Sequence, residues 1–300
     1  MRAELSIYWT SGIIQYMQIQ EWLVENIKGL SDAGVDSPRR DCLVFLEDNL
    51  GKDRTWVLTH PEHQLNAAQL KVLKNLMIRR MRREPLAYIR KKAWFFGRFF
   101  HVDCEVLIPR PESESFIEIL KQIVDKNRNN QGHLDIIDVG TGSGCLAITA
   151  KLEIPRAQVT GLDIDEGALA LARKNKHFYK VDVEFITSDI LTSVDDFKNV
   201  QNHSKKIIML LVNLPYVPSA HSVSPEISFE PKNAIFSGAD GLDHYRRFWS
   251  QVSKLSTLPQ HILTESLLEQ HDNMLDLALG TGYELVNTDL LVQHFKKAES

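Results

Sequence analysis

From Leu134 onward the chain alternates short apolar runs with helix-length segments, and this alternation restricts the fold more than any other feature. The runs are Leu134 to Val139, Gln158 to Ile164, Val183 to Thr187, Ile207 to Val212 and His261 to Glu265. Parallel strands need a long crossover, usually a helix, between them, so runs spaced in this way predict βαβ units. A doubly wound, mainly parallel α/β sheet is expected. Tyr283 to Leu290 and Val292 to Phe295 add a closing antiparallel pair, for seven strands in all.

The preceding residues are patterned differently. Ile13, Ile14, Met17, Trp22, Leu23 and Ile27 recur at helical spacing, as do Leu43, Val44, Leu46 and Leu50. A third helix, Asn66 to Met81, carries Leu70, Leu73, Leu76 and Met77 and stops before Pro85. Residues 1–84 are therefore expected to be an all-helical domain. Between Tyr88 and Ile108, aromatic and β-branched residues surround Gly97, which predicts a β-hairpin linking the domains over residues 85–108. Residues 109–300 form the α/β domain, with surface loops at Asp125 to His133 and Lys198 to Lys206.

Several classes of protein are disfavoured. The longest apolar run of this kind is Ile207 to Val212, well short of the roughly 18 to 20 residues of a membrane span, and the N-terminus lacks a signal pattern. A cytoplasmic, membrane-free protein is expected. Cys42, Cys104 and Cys145 form no Cys-x-x-Cys pair, and no His-x-x-x-His pair falls on a predicted helix, so neither disulfide nor metal is expected. A formal charge of −4 argues against a protein that coats nucleic acid. Even so, ten Lys or Arg residues against the single acid Glu84 lie between Lys71 and Arg98. That segment is a candidate surface for a partner; a solvated helix face and a nucleic-acid groove are the other readings.

In open α/β sheets ligands sit at the carboxyl ends of the strands. The first run ends in Asp138-Val139-Gly140-Thr141-Gly142-Ser143-Gly144, where glycines permit positive φ and close approach of backbone to a ligand. The following helix N-terminus offers free amides. The third glycine position of a dinucleotide fingerprint is Cys145, with glycine at 144 instead. This weakens an NAD reading and favours a ligand without pyrophosphate, such as S-adenosylmethionine. Asp163, with Ile164, closes the second run, where a carboxylate accepts from ribose hydroxyls. After the third run, Asp189 is placed to accept from an adenine amino group while Ile190 packs on the ring. Turn or helix-cap aspartates are the bland alternative for both acids.

The fourth run is followed by Asn213-Leu214-Pro215-Tyr216. An amide or ring amino nitrogen is a poor nucleophile because its lone pair is delocalised. Acceptors set against its hydrogens, here the Asn213 side-chain oxygen and the Leu214 carbonyl, orient it and favour the positive charge that develops during methyl transfer. Pro215 holds Leu214 extended, and Tyr216 offers a flat face to a planar group. The alternative is a plain turn with Tyr216 in the core.

The chain resembles the HemK/PrmC family, the N(5)-glutamine methyltransferases of peptide chain release factors. The resemblance is carried by Pro85-Leu86-Ala87-Tyr88-Ile89, by Leu107-Ile108-Pro109-Arg110-Pro111-Glu112-Ser113-Glu114, by the glycine loop and by Asn213 to Tyr216. Glu230-Pro231, Gly238, Asp240-Gly241-Leu242 and Tyr245-Arg246 follow in the family's order. It implies a Rossmann-like class I S-adenosylmethionine methyltransferase domain, a release factor's Gly-Gly-Gln glutamine as substrate, and a monomer. It also implies that Arg110, Pro111 and Glu112 wall the substrate site; a helix start, with proline in its first turn and Glu112 and Glu114 at its positive end, is the other reading. Phe95, Phe96, Phe99 and Phe100 are either hairpin core or flank the glutamine.

Departures from the family are Leu214 for a proline, Ser113 for Thr, Lys91 for Gly, Ser266 and Leu267 inside the late Glu-Ile-Gly-x-x-Gln motif, and a missing C-terminal Asp-x-x-x-x-Arg. Asn-Leu-Pro-Tyr is also the form used by ribosomal RNA adenine dimethyltransferases. Adenine methylation of RNA or DNA and a non-catalytic cofactor-binding scaffold therefore stand as alternatives. A dehydrogenase is a further one, against which Cys145 counts.

Overall fold

The computed structural model describes residues 16–126, 133–193 and 206–298. The chain divides into two compact units, with the boundary between Ile89 and Arg90. Among the described residues no helix is long and apolar enough to cross a membrane.

The first unit is not all-helical. Strand β1 (Tyr16–Gln18) pairs antiparallel with β2 (Gln64–Asn66), placing Met17 opposite Leu65. Met17 thus belongs to a strand, and α1 (Ile19–Asp32) begins after it, where the Glu21 carboxylate accepts from the Gln18 amide. Ile13 and Ile14 lie outside the described residues. Helices α2 (Pro38–Leu50), α3 (Arg54–Thr59) and α4 (Ala67–Met81) complete a core containing Trp22, Phe45, Leu46, Leu73 and Met77. Their starts are locally encoded: Pro38 opens α2, Asp53 caps α3, and Asn66 with Gln69 forms a capping box on α4. Buried Asp41 on α2 and Arg80 on α4 pair at 2.8 Å, so part of the basic segment faces inward.

A short helix, α5 (Leu86–Arg90), leads to the hairpin of β3 (Lys92–Phe95) and β4 (Arg98–His101). Its turn passes through Phe96 and Gly97, both at positive φ, and Lys91 is also left-handed at φ 58°. Lysine thus takes the conformation that glycine adopts most easily. Phe95 and Phe100 are fully buried in the sheet's core, whereas Phe99 is exposed. Asn175 ties the hairpin to the α/β unit by accepting from His101 N at 2.8 Å and donating to the carbonyls of His101 and Ser143.

In that unit, α6 (Glu114–Lys126) precedes β5 (His133–Val139), α7 (Cys145–Glu153), β6 (Gln158–Asp163), α8 (Glu166–Tyr179), β7 (Glu184–Thr187) and β8 (Lys206–Val212). Then come α9 (Asp243–Val252), β9 (His261–Glu265), α10 (His271–Leu279), β10 (Tyr283–Asp289) and β11 (Val292–Lys297). The seven strands are ordered β10-β11-β9-β8-β5-β6-β7, with β11 antiparallel to both neighbours and the rest parallel. The expected α/β class and closing pair are present. The expected loops fall largely at 127–132 and 198–205, outside the described residues.

Alternate residues of the central strands feed opposite faces, as a pleated strand requires. Ile136, Met209 and Leu211 join Phe116, Leu146 and Leu169 from α6, α7 and α8. Ile137, Val139, Leu210 and Val212 join Tyr245, Trp249 and Met274 from α9 and α10. With both faces covered, ligands are left the carboxyl ends of the strands. The order reverses between β5 and β8, which opens a crevice there.

Candidate active site

The loop after β5 is held from both sides. Gly140, Gly142 and Gly144 have φ of 76°, 51° and 77°. The amides of Gly140 and Thr141 both donate to Leu162 O, and Gly142 N donates to Asp163 Oδ2 at 2.8 Å. A Cβ on Gly140 would lie 3.2 Å from the Asn213 carbonyl oxygen, so the loop and the end of β8 nearly touch. A Cβ on Gly144 would press on Phe185 and Ala172 at 3.0 and 3.1 Å, which explains glycine at the start of α7.

A cavity opens between this loop and the neighbouring strand ends. It is walled by Gly140, Thr141 and Gly142, by Asp163 and Ile164, by Asp189 and Ile190, by Asn213, Leu214 and Pro215, and by Arg110. Asp138, Gly144, Pro111, Glu112 and Tyr216 are not part of that wall. Asp138 lies wholly buried beneath the loop, accepting from Thr141 Oγ1 at 2.6 Å and Ala147 N at 3.1 Å. Burial pushes its pKa up to about 7. Gly144 packs against α8, and the Tyr216 ring is turned so that its hydroxyl reaches Glu265 instead of lying open as a platform. Phe95, Phe96, Phe99 and Phe100 are absent from the wall too.

The wall's chemistry suits a cationic adenosyl ligand better than a dinucleotide. Asp163 accepts from Gly142 N and Asp165 N; burial raises its pKa and these hydrogen bonds oppose the rise. Ile164 stands 62% exposed beside it, an apolar surface that an adenine ring would cover. Ile190 has φ 58°, rare for a β-branched residue, and is fixed by Ser188 Oγ donating to its carbonyl and by the Leu191 amide donating to Gln251. Both arginines of the wall are engaged by carboxylates, Arg110 by Glu230 and Arg247 by Asp189. Neither is left over for a pyrophosphate.

Around Asn213 the structure gathers Ser113, Glu265, Gln270 and Tyr245, to which the sequence assigned no chemical role. Asn213 Nδ2 donates to Ser113 Oγ at 3.1 Å, and Ser113 Oγ donates to Glu265 Oε2 at 2.6 Å. The Tyr216 hydroxyl donates to Glu265 Oε1 at 2.8 Å. Gln270 Nε2 donates to the carbonyls of Tyr216 and Asp240, while the Tyr245 hydroxyl sits between those of Val212 and Glu265. Glu265 is 1% exposed, and burial raises its pKa despite these donors. Ser266 and Leu267 therefore leave the contacts of Glu265 and Gln270 in place. Leu214 is buried against the loop and the sheet, which accounts for leucine there. Among the described residues neither Asn213 Oδ1 nor the Leu214 carbonyl has a hydrogen-bond partner. Glu265 could have been found by the rule that found the others, since it ends a strand.

Comparison with known proteins identifies the family. Residues 21–90 match the family described as PrmC N-terminal domain, and residues 116–203 match the methyltransferase small domain. The chain is 34% identical over 239 residues to the release factor glutamine methyltransferase of Koribacter versatilis, covering 79% of this chain and 81% of that one. It is 30% identical over 270 residues to the Vibrio cholerae protein of the same name, covering 87% and 88%. A bifunctional methyltransferase of Rickettsia bellii is 29% identical over 91% of this chain, which spans 52% of that longer protein. With a relative matched at this level along most of both chains, the chain belongs to the release factor glutamine methyltransferase family.

Proposed function

We propose that the protein transfers a methyl group from S-adenosylmethionine to the side-chain amide nitrogen of the Gly-Gly-Gln glutamine of a peptide chain release factor. The observation that carries the reading is the pair of acceptors at the end of β8, Asn213 Oδ1 and the Leu214 carbonyl, beside the glycine loop. The relatives' names supply the substrate.

S-adenosylmethionine supplies an electrophilic methyl on a sulfonium, so no base strong enough to deprotonate an amide beforehand is required, and the proton that the methylated nitrogen sheds passes to solvent. Asp163 would hold the ribose hydroxyls, Ile164 and Ile190 the adenine faces, and Asp189 the adenine amino group, with the amides of the glycine loop at the carboxylate end. Asn213 Oδ1 and the Leu214 carbonyl accept from the two hydrogens of the glutamine amide, turning its nitrogen toward the donor and stabilising charge as it develops. Pro215 brings no N–H that would repel those hydrogens. Gln270 and Tyr245 fix the backbone on either side.

The proposal extends to the domains. Residues 1–84 recognise the release factor, the hairpin region 85–108 joins them to 109–300, and Arg110 borders the glutamine. The remaining cations of segment 71–98 suit a ribosome or RNA contact, and the protein acts as a cytoplasmic monomer, where its substrate works. The test is incubation of the purified protein with S-adenosylmethionine and either a release factor or structured RNA, followed by mass spectrometry. One methyl on the Gly-Gly-Gln glutamine is expected; a methyl on RNA alone, or none on either, overturns the proposal.

A further inference from the structure

Glu265 ends β9 in an interior setting, and hydroxyls, not a cation, meet its two oxygens: Ser113 Oγ at 2.6 Å and Tyr216 OH at 2.8 Å. An ionised carboxylate has no proton to give, so both hydroxyls must donate to it. Ser113 has one proton. Once that proton is directed at Glu265, its oxygen can only accept, and the group facing it at 3.1 Å is the Asn213 side-chain amide. That amide must present Nδ2 to Ser113. Its Oδ1 is then the end left for the cavity. The two ends of an amide have nearly the same shape, so the surrounding network decides which way it points.

We infer that Glu265 is a positioning residue for methyl transfer: acting through Ser113, it fixes which end of the Asn213 amide meets the substrate nitrogen. The inference rests on the amide-methylation reading above. A reversed Asn213 would turn its own NH2 toward the substrate's NH2, two donors facing each other. Ser113, as the middle of the relay, needs only its hydroxyl; threonine supplies the same group.

The relay has a polarity that protonation reverses. A protonated Glu265 donates one hydrogen bond; given to Ser113, it frees the serine proton for Asn213, which must then present Oδ1 to Ser113 and Nδ2 to the cavity. Burial raises the pKa of Glu265, and the Glu112 carboxylate acts in the same direction, while the hydrogen bonds that Ser113 and Tyr216 donate oppose both. The other titratable groups facing it are the Tyr245 hydroxyl from α9 and Arg110, whose charge reaches the Tyr216 side. The productive orientation therefore belongs to the ionised form and is lost as pH falls through the raised pKa.

The test begins without substrate. In protein carrying 15N-labelled asparagine, the Asn213 side-chain amide is identified by NMR from its loss in Asn213→Ala and followed with pH. A single acidic step is expected in the wild type and in Ser113→Thr, and none in Glu265→Gln or Ser113→Ala. At saturating S-adenosylmethionine, Ser113→Ala is expected to lower kcat about tenfold or more. Its affinity for the donor should be unchanged, and Ser113→Thr should restore the rate. An Asn213 resonance indifferent to pH, or wild-type kcat in Ser113→Ala, overturns the relay. If the acidic step is present but the wild type leaves a release factor unmethylated, the substrate reading falls and the positioning of Asn213 stands.

Discussion

The Asp163 carboxylate accepts a hydrogen bond from the Gly142 amide at 2.8 Å, so the acid expected to hold a ribose also holds the loop beside it. Its other oxygen accepts from Asp165 N at 3.0 Å. A carboxylate has roughly four acceptor positions, so two hydroxyls can be added without displacing either amide. Asp163→Ala removes the ligand contacts and releases the loop together. Hydrogen bonds to a charged group contribute about 1.5–3 kcal/mol each, so affinity for S-adenosylhomocysteine should fall roughly 10- to 100-fold or more. Asp163→Asn, which keeps one acceptor, should fall less. Titration calorimetry reads both; unchanged affinity in the alanine variant rules the ribose role out.

Asn213→Ala should have the opposite signature. Asn213 forms part of the cavity wall, but its side-chain amide points its nitrogen at Ser113 and leaves Oδ1 for the reacting group. Its removal is expected to lower kcat on the order of 10²-fold, as loss of one oriented charge-stabilising group does. Donor affinity should stay within about twofold, because the loop and Asp163 are untouched. Equal losses of donor affinity in the Asp163 and Asn213 variants would remove the distinction between the two roles.

The contrast between these residues also shows what the sequence could and could not reveal. Asp163, Asp189 and Asn213 follow directly from the strand alternation, because each stands at a carboxyl end and that end is where an open sheet leaves room. Ser113 and Glu265 meet 152 residues apart, and Asn213 and Ser113 100 apart, so those hydrogen bonds depend on where α6 and β9 settle in the sheet. Asp138 was legible as a loop residue but not as a buried one: an acid at a strand end can point up at a ligand or down at the next helix, and here Ala147 N and Thr141 draw it down. Tyr16 to Gln18 read as helix because three residues are too few to separate a period of two from one of 3.6. Their partner strand supplies what periodicity could not.

Gly241 gives a prediction on stability. It sits at φ 84°, and a Cβ there would fall 2.1 Å from the Tyr216 carbonyl oxygen and 2.3 Å from Gln270 Nε2. The first obstacle is backbone and cannot rotate away. Gly241→Ala thus combines left-handed strain with a broken Gln270 clamp, for a loss on the order of 2 kcal/mol or more. Chemical denaturation should show it as a lower midpoint at unchanged slope. By comparison, Gly51→Ala has an open space around its Cβ and should cost only about 1–2 kcal/mol from its left-handed φ of 63°. A smaller loss at Gly241 than at Gly51 would contradict this packing.

Asp138 ties stability to pH. Burial raises its pKa to about 7 in the folded chain, against roughly 3.9 when unfolded. Between these values the folded state holds the proton more tightly, so unfolding releases it and is favoured by rising pH. The contribution is fully present below about pH 4 and lost as pH climbs through about 7, at about 1.4 kcal/mol for each unit of difference. Asp240 slopes the opposite way, since Arg246 holds its pKa down to about 2, whereas the raised Asp163 and Glu265 slope the same way as Asp138. The contribution of Asp138 must therefore be read as a difference between two proteins. Asp138→Asn keeps an oxygen for Thr141 Oγ1 and Ala147 N but has no proton to exchange. Denaturation at several values between pH 4 and 7 should show the variant losing less stability, or gaining more, than the wild type as pH rises. Parallel curves would mean that Asp138 does not titrate in this range, and that the loop rests on a charged group.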